Sequence, residues 1–327
     1  MPELTIAIGR YRHATALVTD APTVAGFTLR PVHVEPIIAA YRRMVRDLEF
    51  DVAELAPTTY LLAREAGIPI IAIPVFLNRR FHHDDLRCHP RSGIRVPTDL
   101  VGKRVGVRAY SVTTGVWVRG LLAEDFGVDL DRITWVTDDE EHVPGYTPPT
   151  NVVPVADGES LVSAFRAGHL AAALGGNAGT GRAGKPREGW TAVEASEPAD
   201  PEEQPYPLFA APDVLARDWF ERTGIYPLHS VIVLREELVK TEPDLPTRLY
   251  EAFATAKAEA AALPEDATSR RLASQATVVG RDGLPYGVDA NRLSLEALVR
   301  FAHNQHLLSA PPGAVEDLFA PGDYPLC

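Results

Sequence analysis

Apolar runs and polar turns alternate along this chain in a strand-then-helix rhythm. Leu4–Gly9 is an apolar run that empties into the polar turn Arg10–Thr15, and it reads as a first strand. From Val34 to Arg46 the apolar residues Ile37, Ile38, Tyr41, Met44 and Val45 recur at helical spacing. Phe50–Leu55 and Ile68–Val75 read as the next strands, with a helix over Thr58–Ala66 between them. A second unit starts near Gly93. It holds a strand at Arg104–Val107, a helix from about Thr114 to Phe126, a strand at Ile133–Val136, a short helix at Leu161–Ala167 and a strand at Leu170–Leu174. Further on, Val214–Thr223, Leu245–Leu263 and Leu293–Gln305 have helical patterns, and Leu228–Leu234 is β-rich.

Strands that alternate with helices predict parallel sheets with crossover helices. Two such units and a helical C-terminal third predict an α/β protein of two lobes with a ligand cleft between them. Lobe one takes residues 1–90 plus 226–327, and lobe two takes 91–225. The chain crosses near Leu86–Pro90 and again near His229–Arg235. The segment 175–205 is rich in Gly, Pro, Ala and Glu. It reads either as a lid over the cleft or as a solvated surface excursion.

The charge balance narrows the partners. With 32 Lys plus Arg against 44 Asp plus Glu, the formal charge is -12. An acidic shell of that size argues against nucleic-acid and anionic-membrane binding, while leaving room for a local basic cleft. The two cysteines, Cys88 and Cys327, offer neither a disulfide framework nor a CxxC site. No window approaches the roughly 18 apolar residues of a membrane span, and no secretory n-region or h-region opens the chain. A cytoplasmic location is the expectation.

The chemistry concentrates in the stretch from Glu49 to His83. Thr58 and Thr59 open one helix; Tyr110, Ser111, Thr113 and Thr114 lead into another. Each set reads first as N-cap residues, and a helix start facing a cleft also offers N–H and O–H donors to a carboxylate. Arg79 and Arg80 supply bidentate carboxylate contacts, with one of the two expected to face solvent. His82 and His83 follow a buried strand, and in extended chain they point opposite ways. His229 lies at the return to lobe one. Glu54, at a strand end, would bind a substrate hydroxyl, orient a histidine or make a buried structural bond. The reading is a small carboxylic acid as ligand. The run His82-His83-Asp84-Asp85 has metal-ligand residue types, but adjacent ligands do not easily chelate one ion and no HxH or HExxH spacing is present. A divalent metal is therefore not favoured, and no cofactor is expected.

Taken in order, several motifs resemble the 4,5-dihydroxyphthalate decarboxylase family, cytoplasmic enzymes built on the type II periplasmic-binding-protein fold. They are Glu49-Phe50-Asp51-Val52 with Glu54 and Tyr60, Ile71–Phe76, Arg79 or Arg80 with Phe81 and His83, Leu100–Val107, Val116–Gly120, Thr223–Pro227 with His229, and Pro285-Tyr286-Gly287 with Asn291-Arg292. The resemblance implies that fold and decarboxylation of a hydroxylated aromatic or similar cyclic acid by ring-carbon protonation. His83, which matches the family's histidine, is the first candidate acid, and His229 the second. Glu54 joins them in the candidate catalytic set. His13 stands where the family has an arginine, which makes it a candidate substrate contact. The sequence departs from the family at Tyr11–Thr15, Phe81–Asp84, Asp138–His142 and Gly168–Ala173. Those departures leave the acid unnamed. Two rival readings keep the fold: a binding protein without chemistry, and another lyase such as a dehydratase of a cyclic acid. The apolar helices of the C-terminal third suit a homo-oligomer interface or a core equally well.

Overall fold

A computed structural model describes residues 2–19, 22–24, 26–183, 191–192, 204–280 and 282–325. Among these residues, two six-stranded sheets organise the chain. The first holds β1 (Glu3–Ala7), β2 (Thr23–Val24), β3 (Phe27–Pro31), β4 (Val52–Leu55), β5 (Ile70–Ile73) and, from much later in the chain, a strand at Val231–Arg235. The second holds β6 (Leu86–Cys88), β7 (Arg104–Gly106), β8 (Thr134–Thr137), β9 (Val152–Pro154), β10 (Ala172–Leu174) and Tyr206–Pro207. A small ladder pairs β11 (Arg182–Ala183) with β12 (Thr191–Ala192), so Tyr206–Pro207 is β13 and Val231–Arg235 is β14. In space the orders are β2-β3-β1-β4-β14-β5 and β13-β6-β10-β7-β8-β9. The loop 175–205 lies largely outside the described residues.

The helices are α1 (Ile38–Asp47), α2 (Pro57–Glu65), α3 (Thr113–Phe126), α4 (Leu161–Arg166), α5 (Pro212–Thr223), α6 (Glu236–Thr241), α7 (Leu245–Glu259), α8 (Ala267–Val279) and α9 (Arg292–Asn304). Most match the expected elements within a few residues. The expected helix at Leu245–Leu263 is α-helical only to Glu259, and a 3-10 turn at Ala260–Ala262 closes it. Helices α6 and α8 and strands β2, β3, β6, β9, β11, β12 and β13 carry no counterpart in the sequence reading. In α8 the apolar residues are too sparse to mark a stripe, and a cap holds its start instead: Asp266 accepts from the Ser269 N–H at 2.6 Å.

Two features of this topology position the site. In the first sheet β1 runs parallel to β4, so the loop after β1 lies over the C-terminal end of β4. Strand β14 is antiparallel to both β4 and β5, so its beginning, next to His229 and Ser230, meets those same C-terminal ends. Ligands of parallel α/β sheets bind at that edge. The second feature is the packing of α3 on α9. Gly120 of α3 lets the Phe301 ring of α9 lie directly on the helix backbone, and the buried Trp117 indole donates to the Leu228 carbonyl at 2.9 Å. The start of α3 is thereby fixed opposite the start of β14. Among the described residues no helix is long and apolar enough to cross a membrane.

Candidate functional site

Helices α2 and α3 begin face to face. Pro57 takes the first position of α2, so Ala56 is the cap residue; Val112 caps α3. Thr58 and Thr59, expected at the cap, sit at the second and third positions of α2, since proline is pre-organised for the first; Thr113 and Thr114 take the first two positions of α3. Their hydroxyls reach across instead. Thr58 Oγ1 donates to the Ser111 carbonyl at 2.7 Å and lies 2.7 Å from Thr113 Oγ1. Thr59 Oγ1 is 3.1 Å from His142 Nδ1. Ser111 and the Tyr110 and Ser111 N–H groups bind the Glu141 carboxylate, with the Tyr110 N–H at 2.6 Å. The anion donors before α3 thus hold a carboxylate of the chain itself.

Beside the helix starts lies a cluster of imidazoles. His82 Nδ1 is 2.7 Å from Asp85 Oδ2. The His82 ring stacks on His229 with centroids 5.4 Å apart and lies near-parallel to the Trp117 indole. His229 Nε2 is 3.1 Å from Thr114 Oγ1. Arg80 donates twice to Asp85, at 2.7 Å each, and to Thr114 Oγ1 at 3.3 Å. The buried Nε2 of His82 has no hydrogen-bond partner among the described residues. Burial, and after it the charge of Arg80, lower His82 to about 4 against the opposing pull of Asp85. His229 is pushed well below its ordinary value by burial, then by Arg80 and His82. For Asp85, burial pushes upward, but the bond from His82 and the charge of Arg80 outweigh it and hold the carboxyl far below the usual range.

His83 turns the other way, within a turn closed by the Asp85 N–H on the His82 carbonyl. Its ring sits 5.6 Å from Trp219 and 6.1 Å from Phe209, with Nδ1 buried and without a partner, and burial lowers it to about 4. Arg79 faces neither cleft nor solvent, and Arg80 is the partly exposed one of the pair. Arg79 is fully buried, donates to Asn291, the Tyr226 carbonyl and Ser294, and lies 4.3 Å over the Tyr226 ring. A guanidinium fork finds several acceptors there at once, which a water-facing position would not supply.

Glu54 joins a second polar group. Its carboxylate accepts from the Gly9 N–H at 2.8 Å, the Tyr11 hydroxyl at 2.7 Å and the Tyr41 hydroxyl at 3.0 Å. A side chain at position 9 would strike the Tyr11 ring and Glu54. Burial raises Glu54, opposed by those bonds. His13 stacks on Tyr11 at 5.3 Å; its Nε2 has no partner, and burial lowers it to about 4. Next to Tyr41, the loop after β8 clasps α1: Arg42 and Arg108 both bind Asp139, at 2.7 and 3.1 Å. Burial lowers Arg108 to about 10 against the pull of Asp139.

The structure therefore joins His82, His229, Arg80 and Thr114, and sets Thr58, Thr59, Thr113, Ser111 and Tyr110 along the same seam. Glu54 and His13 belong to the neighbouring tyrosine group; His83 and Arg79 stand apart. Sequence reasoning gave no role to Tyr11, Tyr41, Asp85, Glu141 or His142. All five lie in segments it singled out, and only their partners across the seam reveal a role. No group of three or more His, Cys, Asp or Glu among the described residues is arranged to hold a metal. A cavity of about 870 Å³ opens at the far end of α2 and α9, lined by Leu62, Val143, Tyr146, His303 and Leu307 and by none of the imidazole cluster. The helix starts touch each other, so the chemistry and that cavity do not coincide.

No family model matches the chain. A 4,5-dihydroxyphthalate decarboxylase of Comamonas testosteroni is 29% identical, over 94% of this chain and 93% of the relative. A protein of the same name from Pseudomonas putida is 36% identical over 41% of this chain and 52% of its own length. Among solved structures, the alkanesulfonate-binding protein of Xanthomonas axonopodis pv. citri bound to MOPS superposes with a TM-score of 0.54 at 14% identity, covering 99% of both chains. That likeness places the two sheets in the two-lobed fold of periplasmic binding proteins.

Proposed function

We propose that this chain, a carboxy-lyase that resembles 4,5-dihydroxyphthalate decarboxylases over nearly its whole length, decarboxylates a hydroxylated aromatic acid bound beside the cluster of His82, His229 and Arg80. The observation that carries the mechanism is the Asp85–His82 pair, 2.7 Å apart, whose outer nitrogen is buried and unpartnered beside His229 and Arg80. Asp85 on Nδ1 fixes the ring and leaves Nε2 as the working atom. A substrate carboxylate beside the imidazoles favours their protonated form, so binding charges a histidine that is neutral in the free protein. The imidazolium N–H then delivers its proton to the ring carbon that carries the carboxylate. The ortho or para hydroxyl stabilises the resulting ring cation. The bond to the carboxylate breaks, its electrons restore the ring, and CO2 leaves. Water returns the proton to the imidazole. The ring itself accepts the charge, so this chemistry calls for no metal or organic cofactor.

In this scheme His82 and His229 share the acid role, and Arg80 and Thr114 orient the departing carboxylate. Glu54, accepting from the Tyr11 and Tyr41 hydroxyls and the Gly9 N–H, fixes the loop after β1 and helix α1 beside the cluster. His83, in its aromatic box, is the comparison residue. The test is turnover of 4,5-dihydroxyphthalate and a panel of hydroxylated benzoic acids, followed as released CO2, with wild type, His82→Gln, His229→Gln, His83→Gln and Asp85→Asn. Loss of roughly 100-fold or more in kcat for His82→Gln and Asp85→Asn supports the scheme. Full turnover by His82→Gln would remove His82 from the chemistry. Tight binding with every acid recovered intact would replace the enzyme by a receptor.

A further inference from the structure

Helix α8 brings an arginine to the imidazole cluster from a part of the chain with no motif of its own. Arg271 is half-buried, and its Nη2 donates to Asn78 Oδ1 at 2.7 Å. The carbonyl of Asn78 in turn accepts from the His229 N–H at 2.9 Å. One residue thus separates Arg271 from His229. The helix face is fixed one turn on, where Gln275 accepts from the Tyr226 hydroxyl at 2.7 Å. Two arginines, Arg80 and Arg271, lie within charge reach of both His82 and His229.

The two differ in their counter-charge. Arg80 is held twice by Asp85. Arg271 has no carboxylate within ion-pair distance among the described residues, and its polar contact is a neutral amide. Asp266, an acid of the same helix start, is engaged by the Ser269 N–H at 2.6 Å. Burial lowers the proton affinity of Arg271, and Arg80 lowers it further. A half-buried guanidinium next to a second cation is a site that an incoming anion relieves, and a planar fork matches a carboxylate at two points.

We infer that Arg271 binds the carboxylate that the reaction leaves on the ring, while the Arg80 side of the cluster takes the one that departs. Arg271 is then the side chain by which the site distinguishes an aromatic 1,2-dicarboxylate from a monocarboxylate. This assignment rests on the decarboxylase reading for its meaning but not for its test.

The experiment is calorimetric titration of phthalate and benzoate into wild type, Arg271→Gln and Arg271→Lys, with thermal melts alongside and turnover of 4,5-dihydroxyphthalate in parallel. Wild type should prefer phthalate. Arg271→Gln should weaken phthalate by roughly 30-fold or more and benzoate by less than about threefold, and Arg271→Lys should fall between. In turnover, KM should rise more than kcat falls. Phthalate affinity in Arg271→Gln within about threefold of wild type would overturn the assignment, as would a wild type with no preference for phthalate. If Arg271→Gln does not fold, an unchanged preference in Arg271→Lys overturns it as well. Arg271-dependent phthalate binding with no CO2 from any acid would sink the decarboxylase reading and leave this assignment standing.

Discussion

Acidification from pH 7 toward pH 5 should strongly destabilise this protein; His142 and His229, both pushed well below their ordinary values, act in the same direction as His13, His82 and His83, whose part can be sized. His13, His82 and His83 are 7%, 3% and 3% exposed. Burial lowers each from 6.5 to about 4. The folded values lie below the unfolded one, so as pH falls the unfolded chain takes up protons first. Their contribution is complete above pH 6.5 and is lost progressively down to about pH 4. A tenfold difference in proton affinity is about 1.4 kcal/mol, so the full loss approaches roughly 3 kcal/mol per ring. At pH 5 it is about 2 kcal/mol each, or roughly 6 kcal/mol for the three, which rivals the whole stability of an ordinary domain. Asp85 adds a loss in the same direction at lower pH, because its folded value is depressed. Glu54, whose value is raised, works the opposite way and becomes less costly as pH falls. The assay is urea denaturation followed by tryptophan fluorescence at pH 7.5, 6 and 5, on wild type and His13→Gln. Wild type should lose several kcal/mol, and His13→Gln should lose about 2 kcal/mol less over the same range. A wild-type stability flat within about 1 kcal/mol from pH 7 to 5 would refute the reasoning, as would an identical slope in the variant.

Three substitutions probe the packing that positions the site. Gly120→Ala places a methyl group in the Phe301 ring and should cost about 3 kcal/mol or more, seen as a drop in melting temperature; an unchanged melt would show that α3 and α9 can separate freely. Arg79→Lys loses the fork that holds Asn291, the Tyr226 carbonyl and Ser294, and should cost about 3 kcal/mol in urea denaturation. Thr58→Val removes the hydroxyl that joins the two helix starts; about 1–2 kcal/mol should be lost in the same assay, together with an increase in KM.

How much of this was legible beforehand can be read from particular residues. The order of elements follows from short apolar runs and helical spacing, because burial of one face is a local property of the pattern. Helix α8 escaped because its stability comes from a cap and from packing rather than from an apolar stripe. Alternation in an extended chain predicts opposite orientations for His82 and His83, but the chain turns at His83, and which of them meets His229 is decided by that turn. Thr58 and Thr59 read as caps because cap and cross-seam donor are the same residue type; Pro57 at the first helical position decided between them. Arg79 and Arg80 are neighbours with opposite fates, since acceptors 212 and 215 residues away surround one of them.

The sequence alone determined the two-unit alternation of strands and helices, the acidic surface over a basic stretch, and the residue types available for carboxylate chemistry. These depend on periodicity and composition, which are properties of neighbours along the chain. Tertiary structure alone decided which atoms meet: Asp85 with His82, Thr114 with His229 from 115 residues away, and Arg271 beside both histidines. Hydrogen bonds and charge pairing act over a few ångströms, and those distances are set by how two sheets and their helices dock.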